Sequence, residues 1–228
     1  MIADKKQFTL GALLLAAFCV VLVLIFLPLF DGQNALNYMD DLFNSISKGS
    51  AYYIDGLREE AKELAGNNID LTLKLDDAAQ ADAMAPLFSK NGAAVATTGN
   101  DLEVKGDLGM ILGGCLADAD AMFANNGTAL SDKYGCDEKR SMYNWWKALG
   151  AMDKALKRQE KFAESKFVTT VVKKGVECSY NYYGIEPQKI SEQFLVVLIA
   201  LVFYVVYTMW YGFAIMFMFE GWGLKLEH

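Results

Sequence analysis

The chain has 228 residues, a formal net charge of −7, four cysteines and a single histidine, His228, at its last position. The acidic balance excludes a nucleic-acid binder, which needs clustered Lys and Arg against phosphates. With no histidine before His228, Ser-His-Asp and Cys-His nucleophile pairs and His-ligated zinc, copper, non-haem iron and haem are excluded too.

Residues 1–7 form a short tail carrying Lys5 and Lys6. Residues 8–30, FTLGALLLAAFCVVLVLIFLPLF, then run without a charge. About 20 apolar residues cross a bilayer core, so the run is expected to be transmembrane helix 1. Its core is too long for a signal-peptide h-region and no A-x-A-like site follows, which makes it an anchor. Three Asp and no Lys or Arg occupy DGQNALNYMDDLFNSIS beyond it, so the positive-inside rule places the N-terminus in the cytoplasm.

Residues 31–66 repeat apolar positions at heptad spacing (Leu36, Met39, Phe43, Ile46, then Tyr53, Leu57 and Leu64), with Ser50 and Glu60 as the polar exceptions. The pattern predicts one amphipathic stalk helix stopped by GNN at 66–68. The flanking positions hold Gly49, Ile54, Gly56 and Ala61 instead of paired charges, so the helix is expected to pack on its own domain and not on a coiled-coil partner.

Residues 67–127 read as a small α/β module. Ile69, Leu71, Leu73 and Leu75 alternate as in a half-buried strand. DAAQADAMAPLFSKNG predicts a short helix interrupted at Pro86 and ended near Gly92. Gly99-Asn100-Asp101 marks a turn between two β-prone pieces. Leu108, Ile111, Leu112, Cys115, Ala119, Met122 and Phe123 then share one helical face. The expected arrangement is a small sheet with helices on one face.

Residues 128–193 form a helical return segment. From Asp137 onward Met142, Trp145, Leu149, Met152, Leu156 and Ala163 share a stripe, with Gln159 its polar exception. The simplest arrangement pairs this helix antiparallel with the stalk, its basic stretch KALKRQEK facing Glu59, Glu60 and Glu63. Gly184 and Pro187 break the chain, and Ser191 is the expected cap of the next helix.

Residues 194–219, FLVVLIALVFYVVYTMWYGFAIMFMF, again lack any charge and are expected to be transmembrane helix 2. Residues 220–228 return to the cytoplasm with Lys225 and end in LEH, which reads as a tag remnant. The fold class is therefore an α+β membrane protein, two transmembrane helices flanking a mostly helical extracytoplasmic domain with a small β-sheet. The expected location is a bacterial inner or plasma membrane, with residues 31–193 outside the cytoplasm.

Candidate sites are contact surfaces. Tyr204, Tyr207, Thr208 and Tyr211 fall within about a 100° arc of the second span. A phenol in hydrocarbon needs a hydrogen-bond partner or costs a few kcal/mol. The first span offers only Thr9 as a polar side chain, so it cannot satisfy three phenols and another chain is expected there. The opposite face, with Val202, Val206, Met209, Phe213 and Phe217, suits lipid. Trp145 and Trp146 cannot both face one core, and one of them is expected to anchor a partner or touch the membrane interface. SYNYYG, 179–184, fits an interfacial aromatic belt. Cys136 and Cys178 are the preferred disulfide, with three free thiols and then Cys115–Cys136 as the alternatives. DADAMFANNG lacks the EF-hand pattern and reads as a solvated acidic patch.

The start FTLGALLLAAF resembles a type IV pilin, but Gln7 replaces the glycine needed for cleavage and Ala12 the glutamate, which excludes that class. The function this sequence supports is a non-catalytic two-pass membrane subunit or oligomeric scaffold that presents its extracytoplasmic domain to other membrane subunits or to copies of itself. It is not read as an enzyme and no cofactor or metal is expected. The alternatives are a pore formed by several copies, and a carboxylate-based enzyme or binding component of a transport system.

Overall fold

In the computed structural model, which describes residues 2–30 and 32–224, the first uncharged run is helix α1 (Lys5–Phe26). The Asp4 carboxylate caps it, accepting from the backbone N–H groups of Lys6 and Gln7. The expected stalk is two helices, α2 (Ala35–Ser50) and α3 (Ile54–Glu63), with Ala51–Tyr53 non-helical between them. Gly66, at φ +87°, follows the second. The continuous heptad reading is corrected accordingly: spacing carries across a three-residue break that periodicity cannot register.

Strand β1 (Asn68–Lys74) buries Ile69, Leu71 and Leu73 and exposes the residues between. Helix α4 (Ala78–Ser89) follows, and it runs through Pro86 instead of being interrupted there. Proline removes one N–H, but the apolar anchors Met84, Leu87 and Phe88 on either side are buried and hold the helix in place. Strands β2 (Ala94–Thr98) and β3 (Asp101–Asp107) form a hairpin closed by Gly99-Asn100, with Gly99 at φ +60° as a two-residue loop requires. The sheet order is β1-β3-β2, all antiparallel, with Leu71 opposite Val104 and Leu73 opposite Leu102.

Helix α5 (Leu108–Phe123) is capped by Asp107, whose carboxyl lies below its usual range because the Gly66 and Met110 N–H groups donate to it. Then come α6 (Thr128–Tyr134) and α7 (Glu138–Arg158), capped by Asp137. The return helix stops there. Gln159 is its C-cap and Glu160 takes φ +61°, so Ala163 is not part of the stripe. Helix α8 (Phe162–Val171), a π-helical segment π1 (Val172–Glu177) and α9 (Cys178–Tyr182) continue the segment. The second uncharged run lies within α10 (Ile190–Trp222), which starts at Ile190 without a side-chain cap, not at the expected Ser191.

The chain divides into two units, Met1–Gly49 with Glu186–His228, and Ser50–Ile185. In the second unit one face of the sheet is covered by α4, α5 and α7, and the core contains Leu71, Leu73, Phe88, Leu102, Ile111 and Trp145, all fully buried. The opposite sheet face carries the exposed Lys105–Asp70 pair at 3.0 Å. The main partner of α3 is α5, and α7 packs on α8, β1 and α4, so the expected antiparallel stalk is not formed. Within the basic stretch Lys157 pairs with Asp153, not with an α3 glutamate. In the first unit α1 and α10 pack along each other. The molecule is thus mostly helical with a small three-stranded sheet, and α1 and α10 are long and apolar enough to cross a membrane. The expectations for Lys225 and His228 lie outside the described residues.

Candidate functional site

The contact between α1 and α10 is set by small residues. At Gly11 a Cβ would lie 2.7 Å from the Ala214 carbonyl oxygen and 2.6 Å from the Met218 nitrogen, so only glycine fits. Gly221 meets Phe8 equally closely, at 2.6 Å from its Cα, and the Asp4 N–H donates to the Gly221 carbonyl at 2.9 Å. Close approach of this kind is how helices hold together where no hydrophobic drive acts between them.

Close approach also brings the backbone of α1 within reach of polar groups on α10. The Tyr207 hydroxyl donates to the Phe18 carbonyl at 3.2 Å, and the Trp210 indole N–H to the Leu14 carbonyl at 3.1 Å. Each carbonyl has a second lone pair beyond its helical bond. Phe18 stacks on Tyr207 with ring centroids 4.2 Å apart and lies against Tyr211 at 5.1 Å. The first helix therefore satisfies one phenol with its main chain, an acceptor that a count of polar side chains overlooks.

Tyr204 and Tyr211 are different. They are 67% and 44% exposed, and among the described residues neither hydroxyl has a hydrogen-bond partner. Thr208 between them is exposed but returns its own hydroxyl to the Tyr204 carbonyl at 2.7 Å. Beside them Gly212 faces open space: a Cβ there would meet nothing within 4 Å. Tyr204, Thr208, Tyr211 and Gly212 form a face rotated away from the Gly11–Ala214 seam, by about 60 to 160° from Ala214 at 100° per residue.

The tryptophan pair divides as its adjacency requires. Trp145 is fully buried, its indole N–H donating to the Asp118 carboxylate at 2.9 Å, and it meets Phe88 edge to face. It is removed from the candidate contact residues. Trp146 is 41% exposed, stacks on Tyr143 and donates to Glu177 at 2.8 Å. Within 179–184, Tyr183 donates to Glu138 at 2.9 Å and Tyr182 packs on Phe123, both within the second unit, while Tyr180 is exposed.

Two further expectations change. No disulfide joins the described cysteines: the Cys136 sulfur lies 3.2 Å from the Ser141 hydroxyl and Cys178 contacts the Ala51 carbonyl, so both thiols are engaged elsewhere. Burial holds the Cys115 thiol well above its ordinary range, which makes it unreactive. Asp118, read as solvated, is 4% exposed and accepts from Lys133 at 2.8 Å, from Tyr134 and from Trp145. Burial and this carboxylate push the Tyr134 phenol upward. Every oxygen is used, so the cluster is a structural one. Asp120 binds Arg58 at 2.9 Å and Tyr52 at 2.8 Å, and burial with that carboxylate beside it pushes the Tyr52 phenol up to about 12. Among the described residues no group of His, Cys, Asp and Glu could hold a metal ion.

Comparison with known proteins returns no match, whether to protein-family models, curated proteins or solved structures.

Proposed function

We propose that the chain is a non-catalytic two-pass membrane subunit that binds another chain, a copy of itself or a different subunit, through the face formed by Tyr204, Thr208 and Tyr211. Two phenols without partners, near the middle of a helix uncharged from 194 to 219, carry this reading. In hydrocarbon each would cost a few kcal/mol until a neighbour supplies an acceptor. Membrane placement is supported by the lack of burial of the most apolar stretches of α1 and α10, 6% and 0% buried. A core helix of a soluble protein would be covered.

The test replaces Tyr204 and Tyr211 with phenylalanine and leaves Tyr207 on Phe18. Interhelical hydrogen bonds in membranes average about 0.6 kcal/mol, so losing two should weaken association about eightfold while α1–α10 packing persists. Sedimentation in mild detergent reads the particle mass. A wild-type chain that runs alone as a monomer, or a double variant with unchanged association, would refute the reading.

A further inference from the structure

The proposed membrane contact makes no use of the aromatic cluster on the outer side of α7 and α9. We propose that Tyr143, Trp146, Tyr180 and Glu177 form a cage that binds the quaternary ammonium group of a small ligand of the choline class. A cavity of about 220 Å³ lies among these residues, with the buried side chains of Met142 and Val176 also lining it. Tyr143 and Trp146, one turn apart on α7, hold their rings 6.0 Å apart at 27°. The three aromatic residues are 40%, 41% and 40% exposed, in a unit whose other tryptophan is fully buried.

Glu177 supplies the charge. It ends π1, a rare helical form that recurs at functional sites, and its carboxylate accepts the Trp146 indole N–H at 2.8 Å. Among the described residues it has no cationic partner. The Arg140 guanidinium lies 5.4 Å from the Tyr143 ring centroid, so that ring already engages a cation. Aromatic faces with one carboxylate attract positive charge. They offer few hydrogen-bond acceptors, which disfavours a lysine ammonium with three donors to satisfy. A quaternary ammonium has none, and its methyl groups match the apolar floor.

The ammonium group could belong to free choline or to a phosphocholine headgroup. An adjoining cavity of about 420 Å³ shares Trp146 and Glu177 and is lined in part by Lys147 and Lys154. Lys147 is paired with Asp76, and Lys154, which acts on the same carboxylate without a close ion pair among the described residues, is the cation available to a phosphate.

Calorimetric titration of the full chain in maltoside detergent, which carries no ammonium group, tests this. The probes are tetramethylammonium chloride, choline chloride, glycerophosphocholine and dimethylbutanol, the neutral carbon isostere of choline. Both simple cations should bind, and the isostere should bind at least about tenfold more weakly, because it lacks the charge. Glu177→Gln should weaken choline by about tenfold, and Tyr143→Leu with Trp146→Leu should abolish its binding. Glycerophosphocholine binding tighter than choline, with the gain lost in Lys154→Gln, assigns the site to the headgroup; equal binding assigns it to the free ion. No binding of either simple cation, an isostere as tight as choline, or a folded double variant with wild-type affinity would overturn the proposal. The choline–isostere comparison uses the wild-type chain, so it decides even if the double variant does not fold.

Discussion

Asp118 shows how a single carboxylate can organise a core. It lies one heptad after Ile111 on the buried face of α5, so helical spacing alone marks it as an inward position. Its partners Lys133, Tyr134 and Trp145 come from α6 and α7, and no local pattern announces them. Asn91 extends the network by accepting from Lys133 at 3.1 Å and donating to Tyr134 at 3.1 Å. Asp118→Ala would leave the Lys133 ammonium without its ion-pair partner and the buried Trp145 N–H without an acceptor. Breaking a buried pair in this way costs about 3 to 5 kcal/mol. Chemical denaturation of the full chain in detergent, followed by tryptophan fluorescence, should show a loss of that size. A loss below about 1 kcal/mol, the level of an exposed pair, would contradict the structural role.

At the level of elements, the α1–α10 pair rests on Gly11 and Gly221 more than on side-chain chemistry. Phe8 and Trp222 meet edge to face with centroids 6.1 Å apart at one end of the pair. With Cys19 replaced by serine, cysteines substituted for Phe8 and Trp222 should be joined by a short bifunctional thiol reagent. Adding Gly11→Leu should abolish that link, since a side chain there would collide with the backbone of α10. Persistent cross-linking would show that the two helices tolerate a wider spacing. Legibility from sequence varied among the elements for physical reasons. Alternation placed β1, and the Gly99-Asn100 turn placed the hairpin. The break at Gln159–Lys161 was missed because no proline or glycine marks it, and the one at Ala51–Tyr53 because the heptad spacing outweighed the Gly49-Ser50 signal just before it. Glu160 adopts its positive φ where the chain turns from α7 into α8, a tertiary demand on a residue with no intrinsic preference for it.

For the whole molecule, the proposed membrane topology places Lys5 in the cytoplasm and the sheet-containing unit across the bilayer, an orientation argued from the lysines before α1 and the acidic segment after it. With the four native cysteines replaced, a cysteine at Asp101, in the hairpin of the second unit, should react with an impermeant reagent in intact cells. A cysteine at Lys5 should react only once the membrane is opened. The reverse pattern would invert the orientation, and equal labelling of both sites in intact cells would remove α1 as a span. The unit Ser50–Ile185 has an extensive core of its own, with residues such as Leu112 and Leu149 at 0% exposure. The α1–α10 pair has almost none: Gly11, Ala214 and Gly221 are its buried residues. That contrast is expected when lipid, not protein, covers one of the two.

Composition, periodicity and capping were sufficient for the mostly helical class, for the small sheet and for two helices of membrane-spanning length. Each of these depends on residues near one another in the chain, where side-chain spacing dictates which face is apolar. Which polar groups find partners was decided by the tertiary structure. Tyr207 donates to a carbonyl 189 positions away, and Trp145 to a carboxylate 27 positions away. Similar local sequence surrounds Tyr204, whose hydroxyl has no partner among the described residues. The difference lies in where the glycine seam sets the rotation of α10 against α1, since a hydrogen bond is made or lost over less than 1 Å. Periodicity specifies a face to within a few tens of degrees, and that is too coarse to decide such a contact.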